Sequence, residues 1–512
     1  MVPSGCSRVG DDFVKRVEHS IPVELQVLGA ALRSIAEEMG VVLIRSAFSA
    51  NIKERRDCST ALFDEGGRMI AQAEHIPVHL GAMPDAVAAA IELDLAAGEI
   101  CVLNDPYTGG THLPDITLVS RTELGYAVSR AHHADVGGME PASLPATSRE
   151  LFQEGVVIPP VRLTDEVLTL LYANMRNPQE RRGDLRAQIA AHRLAERRLA
   201  ELCERRGRAR VAAAMDELYA YSERLVRAAI AKLPDGRWEA RDVVEAADGE
   251  LEIRASVTVA GDEILVDFDG TAQQHDGNLN CPLSVTRSAT YFVVRCVTEP
   301  DLPASGGAFA PVTVTAPPGC LVNARPPAAV VAGNTETSSR IVDVLFAALG
   351  QAIPLPAQGQ GTMNNVALGN ERFTYYETIG GGQGGCPEAD GPSGVHVAMS
   401  NTLSTPVEAL ELSYPLRVER WELRRRSGGS GAHRGGDGVV RELRVLEDCR
   451  LSLLTERRAR PPGGAAGGAD GERGRNLVNG EELPAKATRQ LRAGDVLRIE
   501  TPGGGGYGTP DY

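Results

Sequence analysis

The chain has 512 residues, of which 43% are hydrophobic, 24% charged and only 4% aromatic, with 55 glycines and 31 prolines. At this length one apolar core stops growing, so about two to four domains with many loops are expected. The 68 acidic residues outnumber 53 basic ones and give a formal charge of −15, a field that excludes nucleic acid and anionic membrane surfaces as partners.

No apolar run reaches the length of a membrane span, and the first residues, MVPSGCSRVGDDFVKRVEHS, hold no signal-peptide core. The expected location is cytoplasmic. The nine cysteines are odd in number and form no CxxC pair, which suits a reducing compartment. Cys6 opens the series. Cys58, Cys281 and Cys386 lie in polar or Gly-rich surroundings that suit a thiolate nucleophile, although free cysteines are more often small buried hydrophobes.

Residues 23–49 carry apolar side chains at three- and four-residue spacing, the pattern of an amphipathic helix. A hairpin follows at 58–73, where Asp64-Glu65-Gly66-Gly67 separates two apolar runs. From Pro178 to Leu233 the sequence is rich in Ala, Arg, Glu and Leu, which predicts long helices divided near Arg206-Gly207. Glutamates interleave with these arginines, so the charged face is solvated rather than a nucleic-acid patch.

Alternation at 250–270 predicts strands that turn at Ala260-Gly261-Asp262. A Pro-rich stretch at 302–327 precedes a helix at 335–350 that Thr335 or Thr337 can cap. The segment 405–500 is strand-rich, interrupted by the Gly-rich spacer 461–474, which reads as a flexible surface loop. The expected fold is mixed α and β and multidomain, with β-rich regions and a long helical segment near 178–233. It divides into an N-terminal region (1–177), the helical segment (178–235), a mixed α/β region (236–400) and a C-terminal β-rich region (401–512).

The chemistry concentrates between residues 74 and 135. NDPYTGGTHLPD places His112 and Asp115 three residues apart on a loop entering a strand, and RAHHADVGG brings His132, His133 and Asp135 from the next. If segments 116–120 and 126–132 pair as adjacent strands, the loop bearing His112 and Asp115 converges on the end bearing His133 and Asp135, and two imidazoles with one or two carboxylates suit a divalent metal such as Zn, Mn or Fe with one position open for water. Histidines that merely hydrogen-bond backbone carbonyls would look the same in sequence. His75 and His79 could add a ligand or a general base from a third segment. The glycine clusters at 380–385, 427–438 and 503–508 could cradle a phosphate, but close backbone packing or mobile loops explain them more simply. Asn334, Glu336 and Arg340 suit either helix capping or a ligand carboxylate.

Ten ordered motifs carry a family resemblance: SANIKERRDCSTALFD, HIPVHLGAMPDAV, NDPYTGGTHLPD, HHADVGG, NPQERRGDLRAQIAA, DGNLNCP, AGNTETSSR, GGGQGG, RGGDG and TPGGGGYG. From about Val23 to the C-terminus the chain resembles the hydantoinase B/oxoprolinase family. That family includes the B halves of N-methylhydantoinase, 5-oxoprolinase and caprolactamase, and the large subunits of acetone and acetophenone carboxylases. Cys58-Ser59, where an aromatic and Ser are expected, and Asp437, where a hydrophobe is expected, depart from the pattern.

The resemblance implies a partner, an A-type subunit of actin-like ATPase fold that uses ATP to phosphorylate the substrate. It also implies a metal held by His112, Asp115 and His132 or His133; in the mechanism expected here, Asp135 or His79 orients or deprotonates the water. The expected reaction is ATP-dependent opening of a cyclic amide (a hydantoin, 5-oxoproline or a lactam) within a hetero-oligomer. The alternatives are a ketone carboxylase subunit and a scaffold for the ATPase.

Overall fold

A computed structural model describes residues 22–73, 75–298 and 303–510; Cys6 and the rest of the N-terminal stretch lie outside the described residues. The first helix, Val23–Ser46, buries Leu25, Leu28, Leu32, Ile35, Met39 and Leu43 at the spacing its sequence requires. The hairpin forms as β1 (Cys58–Asp64) and β2 (Met69–Ala73). Its turn closes where Asp64 Oδ1 accepts the Arg68 backbone N–H at 2.8 Å. With β3 (Ile100–Leu103), β4 (Asp115–Thr122), β5 (Gly125–His132) and β6 (Val161–Arg162) it completes an antiparallel sheet of order β2-β1-β5-β4-β3-β6.

Successive strand residues face opposite sides, so each side of this sheet has its own core. One side packs Leu62 and Ala131 beneath Val23–Ser46 and the long helices Pro178–Arg206 and Arg208–Ile230. The other packs Phe63, Val119 and Val128 against Val87 of the helix Met83–Ile91. The long helices separate at Gly207, whose φ of +85° ends the first of them. Because they share the core of the N-terminal sheet, packing crosses the boundary drawn at residue 177.

The strands Gly236–Ala246, Gly249–Ala260, Glu263–Asp267 and Val312–Thr315 form a second sheet, turning at Gly261 as its alternation requires. The helices Leu283–Val297 and Ser338–Leu349 contribute Val285, Val293, Ile341 and Leu345 to its core. The helix expected at 335–350 opens instead with a π-helical turn, Gly333–Thr337. Neither Thr335 nor Thr337 caps it, because the chain is already helical before them. Thr337 donates its hydroxyl to the Leu279 carbonyl at 2.6 Å, and Thr335 to Val331 at 3.4 Å.

Two further sheets face each other around Leu368, Leu451, Leu453, Leu443 and Leu497. One of them pairs Asn365–Gly369 with Cys449–Leu454, which joins segments on either side of residue 400. The glycine clusters lie beside this pair. Gly436 donates its N–H to Gln383 at 2.8 Å, Gly504 to Gly436 at 2.9 Å and Gly429 to Gly504 at 2.9 Å. The spacer 461–474 joins them, with Gly506 donating to Ala469 at 2.8 Å. A Cβ on Gly504 would stand 2.1 Å from the Gln383 carbonyl. These segments are therefore neither a free loop nor a phosphate cradle: absent side chains let the backbones approach, and those N–H groups are committed to neighbouring carbonyls. Among the described residues no helix is long and apolar enough to cross a membrane.

Candidate metal centre

Asp115 begins β4 and His132 ends β5, and antiparallel register sets them directly opposite. Period-two alternation turns both toward the Val119 and Val128 face. His112 approaches from the loop before β4. Asp115 Oδ1 stands 3.2 Å from His132 Nδ1, Asp115 Oδ2 stands 3.3 Å from His112 Nδ1, and His112 Nε2 stands 3.2 Å from His132 Nδ1. All three side chains are buried, and one ligand atom from each lies within 4.8 Å of the others.

Such a set fits a metal ion. Tetrahedral bonds of about 2.0–2.1 Å put ligand atoms about 3.3–3.4 Å apart, and one donor atom from each residue already lies within 4.8 Å of the others. Despite their proximity, His112 Nδ1, Asp115 Oδ1 and His132 Nε2 make no aligned hydrogen bond, which buried polar atoms rarely tolerate. Burial alone would raise the Asp115 carboxyl, but His112, His132 and His79 outweigh it and hold it well below the usual range. Burial lowers His132, leaving its imidazole neutral and able to donate a lone pair.

Four sequence-derived candidates take different places. His133 follows His132 by one residue and so faces the helix side of the sheet. There its Nε2 lies 2.9 Å from Gln188 Oε1, and burial pushes it down to about 4. Asp135 is not turned toward water: it accepts N–H groups from Gly137 at 2.8 Å and Ala142 at 2.9 Å and pairs with Arg176 at 3.0 Å, fixing the loop after β5. His79 lines the same cavity, with Nε2 3.5 Å from Asp115 Oδ2 and Nδ1 3.0 Å from Ser59 Oγ. His75 lies outside the cavity wall.

A cavity of about 20 Å³, room for about one water, opens on this cluster. Its wall also includes Asp57, Asn334, Tyr376, Thr378, Ser400 and Thr402. Tyr376 stacks on His132 with ring centroids 4.7 Å apart. Of these six, the sequence had singled out only Asn334. Asp57 stood in a recognised motif without a chemical pattern of its own, and the others come from chain more than 240 residues away from His132 by number.

The remaining polar candidates are structural. Arg340 pairs with Asp242 at 3.1 Å, Asp343 at 3.0 Å and Glu456 at 3.4 Å, which commits both terminal nitrogens of its guanidinium to protein carboxylates. Glu336 accepts from Asn365 at 2.7 Å, and burial raises it to about 7. Cys58, Cys281 and Cys386 are buried, and burial pushes the Cys58 and Cys281 thiols up, so neither is a nucleophile.

The profile of hydantoinase B/oxoprolinase matches residues 21–510. The chain belongs to that family. It is 38% identical to 5-oxoprolinase 1 of Arabidopsis thaliana, a match covering 95% of this chain and 42% of that protein. It therefore spans less than half the length of that relative. Identity to a protein described as the B-type subunit of a D-/L-hydantoinase, from Pseudomonas sp. (strain NS671), is 32%, covering 96% of this chain and 90% of that one. The ATP-dependent caprolactamase from Pseudomonas jessenii superposes with a TM-score of 0.90 at 29% identity, covering 96% of this chain and 92% of that chain. This family member has the mixed α and β, multidomain architecture expected from its sequence.

Proposed function

We propose that this family member is the metal-binding B-type subunit of an ATP-dependent amidohydrolase that opens a cyclic amide, working with an A-type ATPase subunit. The convergence of His112, Asp115 and His132 on one buried cavity carries this reading. The hydantoinase relative and the caprolactamase support the partner and the ring-opening chemistry. A divalent ion held by these three residues would polarise a carbonyl or lower the pKa of a water.

This chain's own groups take the remaining roles. The Thr111 hydroxyl donates to Asp115 Oδ2 at 2.6 Å and fixes the carboxylate. Tyr376 seats the His132 ring from one side. His79, oriented by Ser59, presents Nε2 at the cavity and takes the proton of the attacking water. The partner transfers a phosphoryl group from ATP to the amide oxygen. Water then adds to the activated carbon, the ring C–N bond breaks with the nitrogen leaving protonated, and a second water releases phosphate.

The experiment is purification of the co-expressed complex, elemental analysis, and assay of ring opening with hydantoin, 5-oxoproline and caprolactam. Metal at one equivalent per chain and ATP-coupled ring opening are expected. Bicarbonate-dependent carboxylation of a ketone in place of ring opening would establish the carboxylase alternative instead.

A further inference from the structure

The cavity has two walls. His79, His112, Asp115 and His132 form one. Most uncharged polar groups of the opposite wall already have protein partners: Thr378 and Thr402 share a hydrogen bond of 2.6 Å, Ser400 lies 2.8 Å from His396 Nδ1, and Tyr376 donates to Asn365 at 2.8 Å. Asn334 differs. It is 2% exposed, and its Oδ1 has no hydrogen-bond partner.

The backbone around it is shaped to deliver that side chain. Asn334 sits in the π-helical turn Gly333–Thr337, a wide turn common at functional sites. Gly333 lets this turn press on Asn280, since a Cβ there would stand 1.8 Å from the Asn280 carbonyl oxygen. The Asn334 backbone carbonyl accepts the Ser338 hydroxyl at 2.6 Å, which anchors the turn from behind. An unpartnered carboxamide oxygen so deeply buried costs stability unless a ligand completes it.

We propose that Asn334 is a substrate-positioning residue whose carboxamide pairs with the amide of the substrate at the His112–Asp115–His132 centre, in a cavity that widens from its present one-water volume to admit the ring. A carboxamide is complementary to another amide, because its oxygen accepts the N–H and its NH₂ donates to the carbonyl. A ketone offers no N–H to Oδ1. The inference rests on the amidohydrolase reading and adds to it the residue that selects an amide.

The test uses the metal-loaded complex, with hydantoin as the probe for both calorimetric binding and steady-state kinetics, in wild type, Asn334→Ala and Asn334→Asp. Asn334→Ala should retain its metal and its unfolding midpoint while hydantoin binding weakens about 10- to 100-fold, the range for one buried hydrogen-bonding group lost. KM should rise by a similar factor. Asn334→Asp, which keeps the acceptor, should recover part of the binding. Unchanged hydantoin affinity in Asn334→Ala overturns the inference while leaving the amidohydrolase reading intact. Metal lost with Asn334→Ala also overturns it, because Asn334 would then support the centre. A wild type that neither binds nor opens hydantoin, 5-oxoproline or caprolactam overturns the amidohydrolase reading and the inference with it.

Discussion

Asp115 and His132 face each other across β4 and β5, with Oδ1 3.2 Å from Nδ1. The next residue, His133, points through the sheet to Gln188. One step along an extended strand separates a candidate ligand from a histidine of the helix-facing core.

That relationship yields the first prediction. His112→Ala, Asp115→Ala and His132→Ala each remove one donor of three and should reduce bound metal to a small fraction of wild type. His133→Ala should keep it. Elemental analysis of the four variants decides: metal lost only in His133→Ala would transfer the site to the other face of the sheet.

Asp135→Asn should act on stability rather than on the centre. Its carboxylate is buried and holds three backbone N–H groups, of Gly137, Ala142 and Arg176, and the Arg176 guanidinium. Removing the charge should cost about 2–3 kcal/mol of folding free energy, read as a lower denaturant midpoint with metal content unchanged. A wild-type midpoint with low activity would instead restore a direct catalytic role.

His192 should make stability depend on pH. It is buried between Ser120 at 2.7 Å and Ser129 at 2.9 Å, and burial lowers it to about 3 from 6.5. The unfolded chain therefore binds this proton below about pH 6.5 while the folded chain does not. Stability present above pH 6.5 is lost as pH falls toward 3, at about 1.4 kcal/mol per pH unit. Between pH 4 and 6, His192→Gln should flatten the pH dependence of unfolding free energy by that slope. Parallel profiles for the two proteins would mean that His192 is protonated when folded.

The isolated chain should not hydrolyse ATP. Its glycine clusters direct N–H groups at neighbouring carbonyls rather than at a phosphate. A phosphate-release assay with and without cyclic amide measures this, and substrate-stimulated turnover by the chain alone would overturn the proposed division of labour.

The sequence by itself determined the elements and the neighbourhood of the chemistry. Helical spacing marked Val23–Ser46, glycine marked the break at Gly207, and a short turn between apolar runs marked the hairpin of β1 and β2. These are local properties, set by side-chain period and backbone freedom within a few residues. Ordered motifs marked the family over nearly the whole chain. The tertiary structure decided the rest. Choosing between His132 and His133 required knowing which sheet face each occupies, and Asp135 could be assigned only once Arg176 and the loop amides had surrounded it. Asp57, Tyr376 and Asn334 meet at one cavity because separate cores pack together there. The glycine clusters have the composition of loops yet become ordered because each supplies the hydrogen-bond partners another lacks. Such pairings join residues far apart in the chain, and no local pattern records them.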